Sequence, residues 1–379
     1  MTLWVPLSIT GVFSVRLPQS GVHMADLFTP LKIGSLEIPN RILMAPLTRC
    51  RAEGEHMPTE LMAKYYAQRA SAGLLIAEAT MAMEGNSAFW HEPGIYSESQ
   101  IAGWRLVTDA VHRAGGRIAL QLWHGGRACH PDLNDGAVPV APSALAIEGE
   151  EVHTPRGKQH YTTPRALEDV EIPSVVKGFA RASANARLAG FDMVEVHAAN
   201  GYLLDEFLRD GSNRRTGPYG GSVENRARLL IDVLEAVGAE LGNDRVGVRI
   251  SPLNSFNGMQ DSNPVALSVW LAKRLDDFGL AYLHVMRGDF YGRQTGEILA
   301  PIREHYQGVL VANMGYTPGE AQKAVAEGKV DAVAFGTAFL ANPDLPARIQ
   351  KGAALNAADP STFYTPGPLG YTDYPTLSG

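Results

Sequence analysis

Eight short apolar runs, most followed by a segment of helical period, constrain this 379-residue chain more than any other feature. They are residues 41–46 (RILMAP), 74–80 (LLIAEAT), 117–123 (RIALQLW), 193–198 (MVEVHA), 245–252 (RVGVRISP), 282–288 (YLHVMRG), 308–314 (GVLVANM) and 332–337 (AVAFGT). Near-continuous apolar strands are buried on both faces, as in a parallel sheet. Helix-period segments lie between them at 59–72, 99–114, 173–189, 223–238, 264–278 and 318–327. Ser97 or Ser99 offers a cap for the second of these, and Pro173 stands at a tolerated first-turn position of the third. Eight strands alternating with helices predict an α/β fold, a single (β/α)8 TIM barrel. The rival is a doubly wound open sheet, which usually carries a glycine-rich dinucleotide loop after its first strand. Here the first strand runs into Ala45-Pro46-Leu47-Thr48, with no G-x-G-x-x-G.

Composition removes whole classes of function. Hydrophobic residues make up 45% of the chain and charged residues 19%, which excludes a disordered protein. The net charge is −7, so nothing favours nucleic acid or an anionic membrane as a partner. No apolar run reaches the roughly 18 residues of a spanning helix. Two cysteines, Cys50 and Cys129, exclude a disulfide framework and read as free thiols in a reducing cytoplasm. Residues 1–23 lack a basic start and a small-residue cleavage site, so a secretory signal is not expected. They are expected to be a disordered extension or an over-long start, leaving 24–379 as one domain. The long non-periodic stretch 125–171 is expected to be functional, with a short hairpin capping the barrel mouth. The tail from residue 352 is rich in proline and glycine yet carries Tyr364, Tyr371 and Tyr374.

Barrel enzymes build their sites where strands end and loops begin. The strand ends here offer Pro46, Leu47 and Thr48; Ala79 and Thr80; Gln121 and Trp123; His197, Asn200 and Tyr202; Arg249; Arg287; Asn313; and Gly336 with Thr337. No lysine ends a strand, which counts against a Schiff-base aldolase. No cluster of Asp, Glu and His spans several strand ends, which counts against a metal site. Glu78 and Glu195 lie alone within strands and read as hydrogen-bonded buried acids. What remains suits a large, planar, polar, anionic ligand such as an isoalloxazine. Gln121 serves its pyrimidine edge, and Arg249 is the cation that favours an anionic reduced ring. The local pattern H-x-x-N-x-Y is the sharpest: His197 and Asn200 can donate two hydrogen bonds to one oxygen, and Tyr202 can act as a general acid.

The chain closely resembles the old yellow enzyme family of FMN-dependent ene-reductases. Residues 27–52, 118–127, 194–229, 334–345 and 370–377 carry the likeness, in order along the chain. The resemblance implies FMN, with NADPH or NADH as transient hydride donor and small electrophilic alkenes as substrates. It implies that Pro46, Leu47 and Thr48 touch the flavin, and that Ala79, Gln121 and Arg249 line its pyrimidine side. Asn313, Gly336 and Thr337 would hold the phosphate. His197 and Asn200 would bind the substrate's activating group, and Tyr202 would give the proton. Trp123 and Phe89 would shape the pocket, with Tyr371 approaching from the tail. One departure concerns the phosphate: many relatives have arginine where Thr337 stands. Another is Phe89, where some have tyrosine. Nitrate-ester or nitroaromatic reduction, or a flavin-binding sensor with little turnover, are the alternative functions. A monomer or homodimer is expected.

Overall fold

The computed structural model describes residues 25–378; the expected N-terminal extension lies outside the described residues. Eight parallel strands close into a barrel. In chain order they are β1 (Ile42–Met44), β2 (Leu75–Met81), β3 (Ile118–Trp123), β4 (Met193–Ala198), β5 (Val246–Ile250), β6 (Tyr282–Met286), β7 (Leu310–Asn313) and β8 (Ala332–Phe335). Each follows its sequence neighbour around the barrel, and β8 closes on β1 through Ala334 opposite Leu43. Helices alternate with them: α1 (Glu60–Ala67), α2 (Glu98–Arg113), α3 (Ile172–Leu188), α4 (Val223–Leu241), α5 (Pro264–Asp276), α6 (Leu299–His305), α7 (Pro318–Ala326) and α8 (Leu345–Lys351). Among the described residues, no helix is long and apolar enough to cross a membrane.

Local chemistry explains the element ends. Ser97 caps α2, and Gln100 returns the bond to close a capping box. Thr317 and Glu320 do the same for α7, with Pro318 in the first turn. Helix α1 stops five residues before its predicted end, because Arg69 turns inward to bond the carbonyls of Tyr65, Phe339 and Leu340. Four short helices had no clear period in the sequence: Leu203–Leu208, α6, Thr337–Ala341 and α8. Six of the eight strands run shorter than their stretches, because flanking residues such as Pro46, Pro252, Gly288 and Gly336 turn into the loops. Thr337 opens a helix rather than ending β8.

Two packed layers hold the barrel. Its outer face buries the helices around Leu75, Leu120, Val196, Val248 and Leu283. Its interior is filled by Leu43, Ile76, Ala119, Met193, Tyr282, Val311 and Ala332. Gly247 makes room there: a Cβ would fall 2.3 Å from the Tyr282 ring. A hairpin of Leu31–Ile33 and Leu36–Ile38 plugs the bottom, with Ile33 and Ile38 in the same cluster. Truncating a fully buried leucine such as Leu43 to alanine would cost about 2–5 kcal/mol. With the bottom filled, the ligand site falls at the C-terminal mouth. The excursion after β3 carries an antiparallel hairpin, Glu151–Thr154 with Gly157–His160. Its Ile147 and Tyr161 pack with Ala79, Ala88, Trp123 and Tyr202 at that mouth.

Candidate active site

A cavity of about 620 Å³ opens at the C-terminal mouth, a size suited to a small ligand. Along one wall, β3, β4, β5 and β6 place polar side chains in register. His197 sits opposite Arg249, which sits opposite His284, while Glu195 pairs with Gln121. The Glu195 carboxylate takes a 2.7 Å bond from the Gln121 amide and a 2.8 Å bond with His284 Nδ1. Burial opposes its charge, but His284, Arg249 and Gln121 together hold its pKa below the ordinary glutamate value. Gln121 thus spends its N–H on Glu195 and keeps its carbonyl oxygen as an acceptor.

His197 is buried, and its pKa lies well below the ordinary value because burial, and then Arg249 and His284, disfavour the charged ring. It is a neutral imidazole, a donor of one N–H, and Nδ1 has no partner. Asn200 follows in a left-handed conformation, φ +59°. That turn is tied on every side. Asn200 N–H donates to Ser251 Oγ at 2.7 Å, and Gly201 N–H donates to Asp205 at 2.9 Å. Asn257 donates to the Asn200 carbonyl at 3.0 Å. Asn254 donates to the Asn200 side-chain oxygen at 2.9 Å, so the amide NH₂ is left to donate. Gly201 must be glycine: its φ is +71°, and a Cβ would meet Asn257 and Met259 at 2.7 Å. Beneath the turn, Asp205 and Arg209 form a buried ion pair at 3.1 Å. Tyr202 lies against His197, ring centroids 5.3 Å apart. Burial, with Tyr161, Tyr364 and Glu92 nearby, pushes its pKa well above the ordinary tyrosine value, so it stays protonated.

The opposite wall and floor come from β1, β2, β7 and β8: Pro46, Leu47, Thr48, Ala79, Asn313, Gly336 and Thr337 all line the cavity. Ala79 reaches it at a bulge, where the β2–β3 register shifts between Ala77 and Thr80. The same bulge turns Glu78 outward to accept from Tyr66 and from Arg49 N–H. Arg249 Nε and Asn313 Oδ1 are buried without partners on residues that line this space. A cation, a free amide acceptor and unsatisfied buried polar atoms around one cavity fit the polar edge of an isoalloxazine and its tail. A larger groove of about 1020 Å³ lies beside it, beyond Met314–Tyr316. Its basic side chains face acids, as in Lys329–Glu327 at 2.8 Å, so it lacks a free ligating set. Among the described residues, no three His, Cys, Asp or Glu side chains group to hold a metal ion.

A family model described as NADH:flavin oxidoreductase / NADH oxidase matches residues 26–356. The chain belongs to this family. It is of the old yellow enzyme type, an FMN-dependent oxidoreductase of the alkene reductase group. A probable flavin mononucleotide-dependent alkene reductase of Leishmania infantum is 51% identical over 353 residues, 92% of this chain and 96% of that one. The old yellow enzyme of Trypanosoma cruzi superposes with a TM-score of 0.91 at 46% identity, covering 93% of this chain and 99% of that one. Morphinone reductase in complex with tetrahydroNAD gives 0.89 at 48% identity, covering 93% and 98%.

The old yellow enzyme barrel brings together all but two of the expected site residues. Phe89 lines the cavity, stacked at 6.0 Å on Tyr364. Trp123 does not line it. It is fully buried one layer behind, touching Tyr202 at 4.8 Å and Phe89 at 5.9 Å between ring centroids. Tyr371 does not approach it either. Its ring stacks on Tyr65 at 4.0 Å, under Arg49 and Arg51, inside the core. The tail reaches the site through Phe363 and Tyr364 instead. Arg49 and Arg51 fix that course, donating to the carbonyls of Thr362, Phe363 and Gly370. The aromatic rim of Phe256, Phe290 and Tyr291, and the supports Asp205, Arg209, Ser251, Asn254 and Asn257, were missed in the sequence. The one available signal was polar residues interrupting apolar runs, as in LLDEFLRD and SPLNSFNG.

Proposed function

We propose that the protein oxidises NADPH or NADH and reduces the activated C=C bond of an α,β-unsaturated carbonyl or nitro compound, in alternating half-reactions at one site. One observation carries this reading: a neutral His197, an Asn200 amide oriented by Asn254, and a protonated Tyr202 share one cavity wall. FMN, when bound, supplies the two-electron chemistry that links the coenzyme to the alkene. Pro46, Leu47, Thr48, Ala79, Gln121 and Arg249 would hold its ring, and Asn313, Gly336 and Thr337 its phosphate end.

His197 and Asn200 would donate to the carbonyl or nitro oxygen, where negative charge grows as the β-carbon takes a hydride. Each such donor is worth on the order of 3–4 kcal/mol in the transition state. Tyr202 would give its phenolic proton to the α-carbon, completing the addition of hydride and proton across the double bond. Phe89 and Tyr364 would wall the alkene from above. The test is a titration of the purified yellow protein with phenol. A long-wavelength charge-transfer band is expected, from a phenolate held by His197 and Asn200 against the flavin. Bound flavin with no band would refute the donor pair.

A further inference from the structure

Barrels of this kind often bind phosphate at the loops after β7 and β8. Asn313, Met314, Gly315, Tyr316, Gly336 and Thr337 line the cavity there, and none is a cation. The cations that do line the cavity are Arg49 and Arg249. Arg49 donates to Tyr65, Phe363 and Gly370, and Arg249 sits beside Glu195 on the β4–β6 wall. The turn after β7 offers a different device. Met314 adopts φ +84°, a conformation that a residue with a side chain rarely takes. Arg287, just beyond β6, takes three successive carbonyls of this turn. Its own N–H donates to Asn313 O at 3.2 Å, Nε donates to Met314 O at 2.9 Å, and Nη2 donates to Gly315 O at 3.1 Å. The Tyr316 ring packs 3.6 Å from the guanidinium carbon. Glu320 is only loosely paired with it, at 3.9 Å.

In a trans peptide the N–H points away from the preceding carbonyl. With Met314 O and Gly315 O drawn to Arg287, the N–H groups of Gly315 and Tyr316 point the other way. Neither has a partner among the described residues. Free backbone donors in a left-handed turn form an anion-binding concavity. We propose that Arg287 is a positioning residue for the cofactor phosphate: its forked grip holds the strained Met314–Gly315 turn so that backbone N–H groups meet the phosphate. This rests on FMN being the cofactor.

The test is flavin exchange in the full-length holoenzyme. Protein loaded with FMN is equilibrated with excess riboflavin, which lacks the phosphate, and the bound flavins are quantified. Arg287→Met is expected to lower the FMN-over-riboflavin preference at least tenfold. Arg287→Lys keeps the charge but loses the fork, and is expected to recover only a minor part. Met314→Gly relaxes the turn, so Arg287→Met in that background is expected to change the preference less than threefold. A preference within twofold of wild type in Arg287→Met overturns the proposal. So does full recovery by lysine, which would make charge alone sufficient. If Arg287→Met is insoluble and Met314→Gly does not rescue it, the arginine serves the fold generally and the proposal fails. Wild-type protein that binds no flavin would instead defeat the cofactor reading itself.

Discussion

At the β4–β5 wall, four side chains tie down the Asn200–Gly201 turn: Ser251, Asn254 and Asn257 from the segment after β5, and Asp205 from the helix Leu203–Leu208. At the β7–β8 end, the Met314–Gly315 turn is held from outside by one partly exposed arginine. The first turn aims side chains, and the second aims backbone N–H groups. Side-chain donors that stabilise developing charge must be fixed within fractions of an ångström, which takes a buried, cross-braced network. A phosphate carries its full charge throughout, so a turn with one brace would suffice for it on the proposed reading.

Five substitutions and a pH profile would break or sharpen this contrast. The largest effect is expected at the first wall. His197→Ala should slow flavin reoxidation by cyclohexenone at least a hundredfold in anaerobic stopped flow, about 3 kcal/mol for one lost donor. Near-wild-type rates would break the comparison at its centre. Asp205→Ala should follow, because it leaves Arg209 buried and unpaired. A loss of about 3–5 kcal/mol in unfolding free energy is expected from denaturant titration. The matching change at the other end, Glu320→Gln, should leave the denaturation midpoint unchanged, since a glutamine oxygen can still accept the Thr317 capping bond and the pairing with Arg287 is exposed and 3.9 Å long. Asn254→Ala should free the Asn200 amide to flip and weaken phenol binding by about tenfold, one hydrogen bond's worth. An unaltered phenol affinity would show that Asn200 needs no brace.

The smallest effects concern pH. Burial raises the Glu206 carboxyl to about 8. In the fold it is protonated at pH 5 and must ionise as the pH passes 8, whereas the unfolded chain ionises near 4.5. The wild type therefore loses stability from this group as pH rises through that window. Glu206→Gln does not, so its melting temperature relative to wild type should climb between about pH 5 and pH 9, by roughly 1–2 °C per kcal/mol gained. Tyr202 is shifted upward and His197 downward, so neither titrates in the neutral range. The rate of enone reduction should be flat on their account from about pH 7 to about pH 9. A fall with an apparent pKa inside that range would assign proton delivery to another group.

The sequence by itself determined the barrel. Eight apolar runs at helix-separated spacing leave few ways to bury strands on both faces, and each observed strand falls within or against its run. It also determined which strand ends meet, because parallel strands in a closed barrel bring all their C-terminal ends to one mouth. His197, Asn200, Tyr202, Gln121 and Arg249 could be named on that ground alone. Tertiary structure decided what stands behind them. Trp123 ends a strand, yet Phe89 and Tyr202, which line the cavity, pack against its ring, so it braces them from behind instead. Tyr371 and Tyr364 are equal candidates as letters. The carbonyls that Arg49 and Arg51 grip decide that Tyr371 is core and Tyr364 is wall. Arg287 likewise reads as one more strand-end arginine until the fold sets the Met314 and Gly315 carbonyls against it. Periodicity is local and survives in the sequence, whereas a brace joins residues dozens to hundreds of positions apart, and only the folded chain makes them neighbours.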